Sequence, residues 1–127
     1  MVGVEATYSG GMTLRSPADE APRACDGGLT RAFAFLGKRW NGMLLGTLGQ
    51  GPAGFAELAR ALPGISESVL SDRLGELARV GLVSRTVREG PPLGVSYELT
   101  ERGAALLPAL DALARWAHEN LPAGGCR

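Results

Sequence analysis

Two cysteines and one histidine are all that this 127-residue chain offers to thiol, metal or imidazole chemistry. Cys25 and Cys126 lie near opposite ends, without the paired spacing of a zinc site, and two cysteines do not make a secreted disulfide framework. His118 stands near Trp116 and Glu119 with no second histidine to share a metal or relay a proton, so no metal site is expected. Long apolar runs are missing too. Nothing approaches the roughly 20 residues of a membrane helix, and the amino terminus lacks a basic start followed by an apolar block. No carboxylate pair, nucleophile and base set, or phosphate-cradling loop can be assembled, since the 19 glycines are scattered through turns. These absences argue against an enzyme, a cofactor protein and a membrane protein. The expectation is one cytoplasmic domain with a single core, its composition 45% hydrophobic.

Net charge is also missing, with 13 basic residues against 13 acidic ones, which at first argues against a polyanion partner. Its distribution reverses that. Residues 29–88 hold eight basic side chains (Arg31, Lys38, Arg39, Arg60, Arg73, Arg79, Arg85, Arg88) against four acids (Glu57, Glu67, Asp72, Glu76). Each flank carries two more acids than bases, so positive charge is concentrated where attraction to phosphates would need it.

Residues 1–24 mix Gly, Ala, Ser and Pro without a sustained period and read as a flexible tail, matched by a short tail at 122–127. The periodic region between them, 25–121, opens with Leu29, Ala32, Phe33 and Leu36 on one helical stripe closed by Gly37. A second helix is expected over about residues 39–48, with Trp40, Met43, Leu44, Thr47 and Leu48 on one side. A third, over 55–62, turns Phe55, Leu58, Ala59 and Leu62 inward until Pro63-Gly64 stops it. Ser66 can cap a fourth helix that Gly81 ends, and Leu70, Leu74 and Leu77 fall on one buried stripe of it. Glu67, Ser68, Ser71, Asp72 and Arg73 are left mostly on its other faces, a polar surface that periodicity alone allows to be a solvated side or a binding one. Two short helices joined by a tight glycine-containing turn are the sequence form of a helix-turn-helix.

After Gly81 the period switches to two. Residues 82–88 alternate as a strand, Glu89-Gly90-Pro91-Pro92-Leu93-Gly94 reads as a loop, and Val95, Tyr97 and Leu99 mark the returning strand. Helix, turn, helix and hairpin in that order describe a winged helix-turn-helix, mainly α with a small β-hairpin wing (α+β) and terminal helices for dimerisation. Arg85 and Arg88 stand on the arm leading to the wing tip. Thr100 caps a last helix in which Leu106, Leu110, Leu113, Ala117 and Leu121 repeat at steps of four and three, widened by Leu107 and Trp116. Pro108 is expected to bend it. This stripe exceeds what one small domain needs, so it packs on a second copy or covers its own core.

Several ordered motifs carry a likeness. Cys25, Leu-Gly-Lys-Arg-Trp-Asn-Gly-Met-Leu-Leu (36–45), Gly-Pro-Ala-Gly-Phe-Ala-Glu-Leu (51–58), Leu-Pro-Gly-Ile-Ser (62–66), Leu-Ser-Asp-Arg-Leu-Gly-Glu-Leu (70–77), Gly-Leu-Val (81–83) and Tyr-Glu-Leu-Thr-Glu-Arg-Gly (97–103) together resemble the HxlR-type branch of the MarR-like winged-helix transcription regulators, over about residues 25–121. The resemblance implies a cytoplasmic homodimer on pseudo-palindromic operator DNA, with repression the expected mode. It implies dimerisation through the first and last helices, here Leu29, Phe33, Leu106, Leu110, Leu113, Trp116 and Ala117. The Ser66 to Val80 helix would enter the major groove and the Leu82 to Leu99 hairpin would be the wing. Some members sense oxidants or electrophiles through a cysteine just before the first helix, the position of Cys25. The usual Cys-Pro pair is Cys25-Asp26 here, which sets an anion beside the sulfur.

On a DNA partner, Arg73, Arg85, Arg88 and Lys38 or Arg39 would contact phosphates, while Ser66, Glu67, Ser68, Ser71 and Asp72 lie at the groove-facing start of the helix. A second reading is a small-molecule sensor, its effector lodged between the terminal helices and the core and lined by Phe33, Phe35, Trp40, Leu110 or Trp116. A third, a non-DNA interaction module or an enzyme on the same scaffold, finds no assembled site to support it.

Overall fold

In the computed structural model, which describes residues 23–91 and 94–124, the chain runs α1 (Gly27–Leu36), α2 (Asn41–Leu48), β1 (Ala53–Gly54), α3 (Phe55–Ala61), α4 (Glu67–Arg79), β2 (Val83–Arg88), β3 (Gly94–Leu99), α5 (Glu101–Ala104) and α6 (Leu107–Asn120). The tail expected over 1–24 lies outside the described residues except for its last two, as does Cys126. Two units divide the chain, residues 1–30 and 31–127, and every element after α1 belongs to the second.

The core is built from leucines placed by helical periodicity. Leu44, Leu45 and Leu48 of α2, Leu58 of α3 and Leu70, Leu74 and Leu77 of α4 are all at most 2% exposed, joined by Leu62, Trp40, Ala53 and Val83. Withdrawing a side chain of this size from water contributes about 1.5–3 kcal/mol, so the α4 stripe turns the opposite side of that helix broadly outward. Ser66 caps α4 as expected, its hydroxyl accepting the Val69 N–H at 3.1 Å. At the other end Leu82 N–H reaches back to the Leu77 carbonyl at 3.0 Å, a closure that puts Gly81 at φ +82°, where a side chain is disfavoured.

The expected hairpin forms, with Val83 opposite Leu99 through Arg88 opposite Gly94, so that Gly94, read from sequence as loop, opens the returning strand. The sheet is larger than a hairpin, however. Ala53 and Gly54 pair antiparallel with Tyr97 and Ser96, giving the order β1-β3-β2. A two-residue strand is too short to show alternation, so its partner across the chain is what defines it.

A second difference lies after the wing. Instead of one bent helix from Thr100, α5 stops at Ala104 and α6 starts afresh at Leu107. Inside a helix the Pro108 ring would collide with the carbonyl four residues earlier, that of Ala104. In the first turn of α6 its missing N–H costs nothing. Thr100 does cap α5: its hydroxyl accepts Gly103 N–H at 3.2 Å and donates to the Gly81 carbonyl at 2.6 Å. Gly103 is buried against the Leu82 carbonyl so closely that any Cβ there would strike it.

Among the described residues, one polar side chain penetrates the core. Asn41 is fully buried, its Nδ2 donating to the Phe35 carbonyl in the last turn of α1 at 3.0 Å and its Oδ1 accepting from Arg73 Nη1 at 3.4 Å. Arg73, only 14% exposed, also pairs with Glu76 one turn on and with Asp72 at 2.7 Å, while Lys38 donates to Glu76 at 3.0 Å. Each satisfied bond contributes about 0.5–1.5 kcal/mol net, whereas an orphaned buried partner costs about 1–3 kcal/mol. The network therefore ties α4 to α2 and to the end of α1 through groups that can be satisfied only together.

The Lys38 ammonium donating to Glu76, with the Arg73 guanidinium alongside, holds the Glu76 carboxyl below the ordinary glutamate value, and Arg73 does the same for Asp72. Carboxyls lowered by folding stabilise the native state above the ordinary carboxylate range and lose that contribution as pH falls through it toward the lowered values. Denaturant unfolding between about pH 5 and pH 3 should accordingly show a shallower loss of stability for Glu76→Gln than for the unaltered protein. Parallel pH profiles for the two would show that this bridge carries none of the acid sensitivity.

Candidate nucleic-acid interface

With Leu70, Leu74 and Leu77 turned inward, the residues diametrically opposite on α4 are Ser68, Asp72, Gly75 and Arg79, at steps of four, three and four. Ser68, Asp72 and Arg79 are exposed, and the Arg79 guanidinium lies back across Gly75, its Nη1 3.4 Å from where a Cβ would stand. Glu67 and Ser71 flank this row, also exposed, and Ser66 is exposed with its hydroxyl committed to the cap. The outer surface of α4 is thus narrow and polar, with the Arg79 side chain lying over Gly75, a chemistry suited to base edges and phosphates in a major groove.

The basic residues divide into two groups. Arg73, expected at a phosphate, instead faces the protein and is occupied by Asn41, Asp72 and Glu76. Lys38 is paired with Glu76, and Arg39 stacks on the Trp40 ring with its guanidinium carbon 4.6 Å from the centroid. Arg85 and Arg88 are exposed on β2, and no acid pairs with either among the described residues. Arg88 folds against the wing, its Nη2 2.9 Å from the position a Cβ on Gly94 would take. Arg79, which was counted in the basic segment without a role, joins Arg85 and Arg88 as an exposed cation after the core of α4. The spacing of 68, 72, 75 and 79 would have singled it out.

On the terminal helices, neither α1 nor α6 contains a fully buried residue. Leu29 and Phe33 on α1 are each 59% exposed, and Leu113, Trp116 and Leu121 of the α6 end are about half exposed. Leu106 and Leu110 are half-buried against the core and Ala117 is half-buried. The five residues expected to share an effector cavity are dispersed. Trp40 belongs to the core, Phe35 packs on it, and Phe33 and Trp116 face outward. A cleft of about 410 Å³ does run between α2 and α6, but its walls are Leu36, Met43, Gly46, Leu110, Leu113 and their neighbours, so only Leu110 of the expected set reaches it.

Cys25 is exposed two residues before α1. The Asp26 carboxylate beside it is turned to the helix start, where Oδ1 accepts Leu29 N–H at 2.9 Å.

Comparison with known proteins agrees with this geometry. Residues 35–124 match the family model described as HxlR-like helix-turn-helix. The HTH-type transcriptional regulator YodB of Bacillus subtilis is 41% identical over 88 residues, covering 69% of this chain and 79% of that one. The reduced form of YodB superposes with a TM-score of 0.69 at 36% identity, over 80% of this chain and all of the other. Its quinone-bound form gives 0.65 at 37% identity, over 75% and 99% of the two chains. An outward polar helix, a basic wing and this match together place the chain in the HxlR-like helix-turn-helix family, as a DNA-binding regulator of transcription.

Proposed function

We propose that the protein acts in the cytoplasm as a homodimeric repressor, with α4 of each copy in successive major grooves of a pseudo-palindromic operator. The observation that carries this reading is the outer face of α4, polar from Ser68 to Arg79 and held by the leucine stripe and the Asn41 network, with Arg85 and Arg88 exposed on the adjoining strand. Ser66, Glu67, Ser68, Ser71 and Asp72 supply contacts at the entry to the groove, and Arg79, Arg85 and Arg88 supply phosphate contacts. Arg73 leaves the phosphate set because its donors are already engaged. Leu29, Phe33, Leu113 and Trp116 favour a second copy as their cover, since four large apolar side chains left half exposed on two helices would otherwise be in water.

A switching role for Cys25 is supported by its exposure and by the quinone-bound form of YodB. A quinone accepts a thiol by addition at a ring carbon, the sulfur proton ending on the ring oxygen, so no further oxidant is needed.

Two measurements test these readings. Arg88→Ala should weaken binding to all DNA sequences and flatten the dependence of log affinity on log salt by about one unit, as loss of one phosphate contact requires. An unchanged slope removes Arg88 from the contact set. Benzoquinone should lower the operator affinity of the unaltered protein and of Cys126→Ser alike, and Cys25→Ser should abolish that loss. Loss of affinity in the serine variant as well would remove Cys25 as the switch.

A further inference from the structure

An exposed carboxylate in the middle of a helix that enters a phosphate-walled groove is repelled unless its charge is balanced. Asp72 is such a group: it is 66% exposed and stands diametrically opposite the buried leucines, between Ser68 and Gly75 on the row that faces outward. It is also balanced. Arg73 Nη2 donates to Asp72 Oδ2 at 2.7 Å, which leaves Oδ1 without a protein donor among the described residues. Arg73 is in turn held by Asn41 Oδ1 at 3.4 Å and by Glu76, so the carboxylate is oriented from behind by a guanidinium with partners on α2 and on the next turn of α4.

We propose that Asp72 is a specificity-determining residue that accepts a hydrogen bond from the exocyclic amine of a cytosine in each half-site, with Arg73 as the residue that positions it. The assignment rests on α4 being the groove-reading helix. Within that reading it follows from chemistry. An ionised carboxylate is an acceptor only, and among major-groove edges the cytosine N4 amine offers donors with no acceptor beside it, whereas adenine pairs its amine with the N7 acceptor that a carboxylate would face unfavourably. The pair also gives a role to Arg73, which stands mostly buried behind an exposed carboxylate.

Selection of operator fragments from a randomised duplex library tests this with the full-length protein. The unaltered protein should enrich one cytosine at a fixed place in each half-site, with roughly fivefold or greater discrimination over other bases there. Asp72→Asn, a surface change that leaves the core untouched, should move the preference at that one place toward adenine, whose amine and N7 match a carboxamide, and leave the remaining positions unchanged. Arg73→Gln removes the charge and the fork, and should blur the same place while the salt slope stays as it was. An Asp72→Asn motif identical to the original at every position would overturn the proposal, as would a fall of about one unit in the salt slope for Arg73→Gln. Enrichment of no motif by the unaltered protein would reject the groove-reading role of α4 itself, a result distinct from a motif that ignores Asp72.

Discussion

The outward row of α4 depends on how that helix is fixed by its back. Leu70, Leu74 and Leu77 supply the adhesion, but an apolar stripe is tolerant of small rotations about the helix axis. The Asn41–Arg73 contact is not, because a hydrogen bond weakens steeply with misalignment and the buried amide has no water to fall back on. One polar linkage thus sets the rotation that the leucines leave soft. Whatever α4 presents to a groove, including the row from Ser68 to Arg79, is presented at an angle set from within.

The same linkage redistributes charge. Asp72 and Glu76 are paired with Arg73 and Lys38, so the excess of four positive charges over residues 29–88 is carried by the other six basic residues. Three of these, Arg79, Arg85 and Arg88, are exposed at the end of α4 and along β2. A chain with no net charge can therefore still show phosphate a basic surface, because Arg73 and Lys38 neutralise two of the four acids of this segment.

Much of this architecture was legible in the sequence because it is local. The α4 stripe, the Ser66 and Thr100 caps and the Gly81 stop all depend on residues within about one turn of each other. Features that depend on distant partners were not. β1 exists because Ala53 meets Tyr97, more than forty positions away in the chain, and nothing at residues 53–54 announces it. Arg73 reads from sequence as one more basic residue on a polar face. Only Asn41, thirty-two positions earlier, draws it inward. The break before α6 was a local signal given too little weight, since Pro108 excludes the carbonyl of Ala104 whatever the surrounding stripe suggests. The effector residues fared worst. Aromatic side chains chosen by type alone went to the core or the surface, while the α2–α6 cleft is walled by Leu36, Met43 and a bare Gly46.

Family membership and the outward polar row of α4 converge on operator binding, and the uncovered apolar faces of α1 and α6 favour two copies acting together. Hydroxyl-radical footprinting on a selected operator measures both at once. Two blocks of protection on one side of the duplex, centred about one helical turn apart, are the result this account predicts. A single protected block, or protection with no fixed spacing, would contradict it.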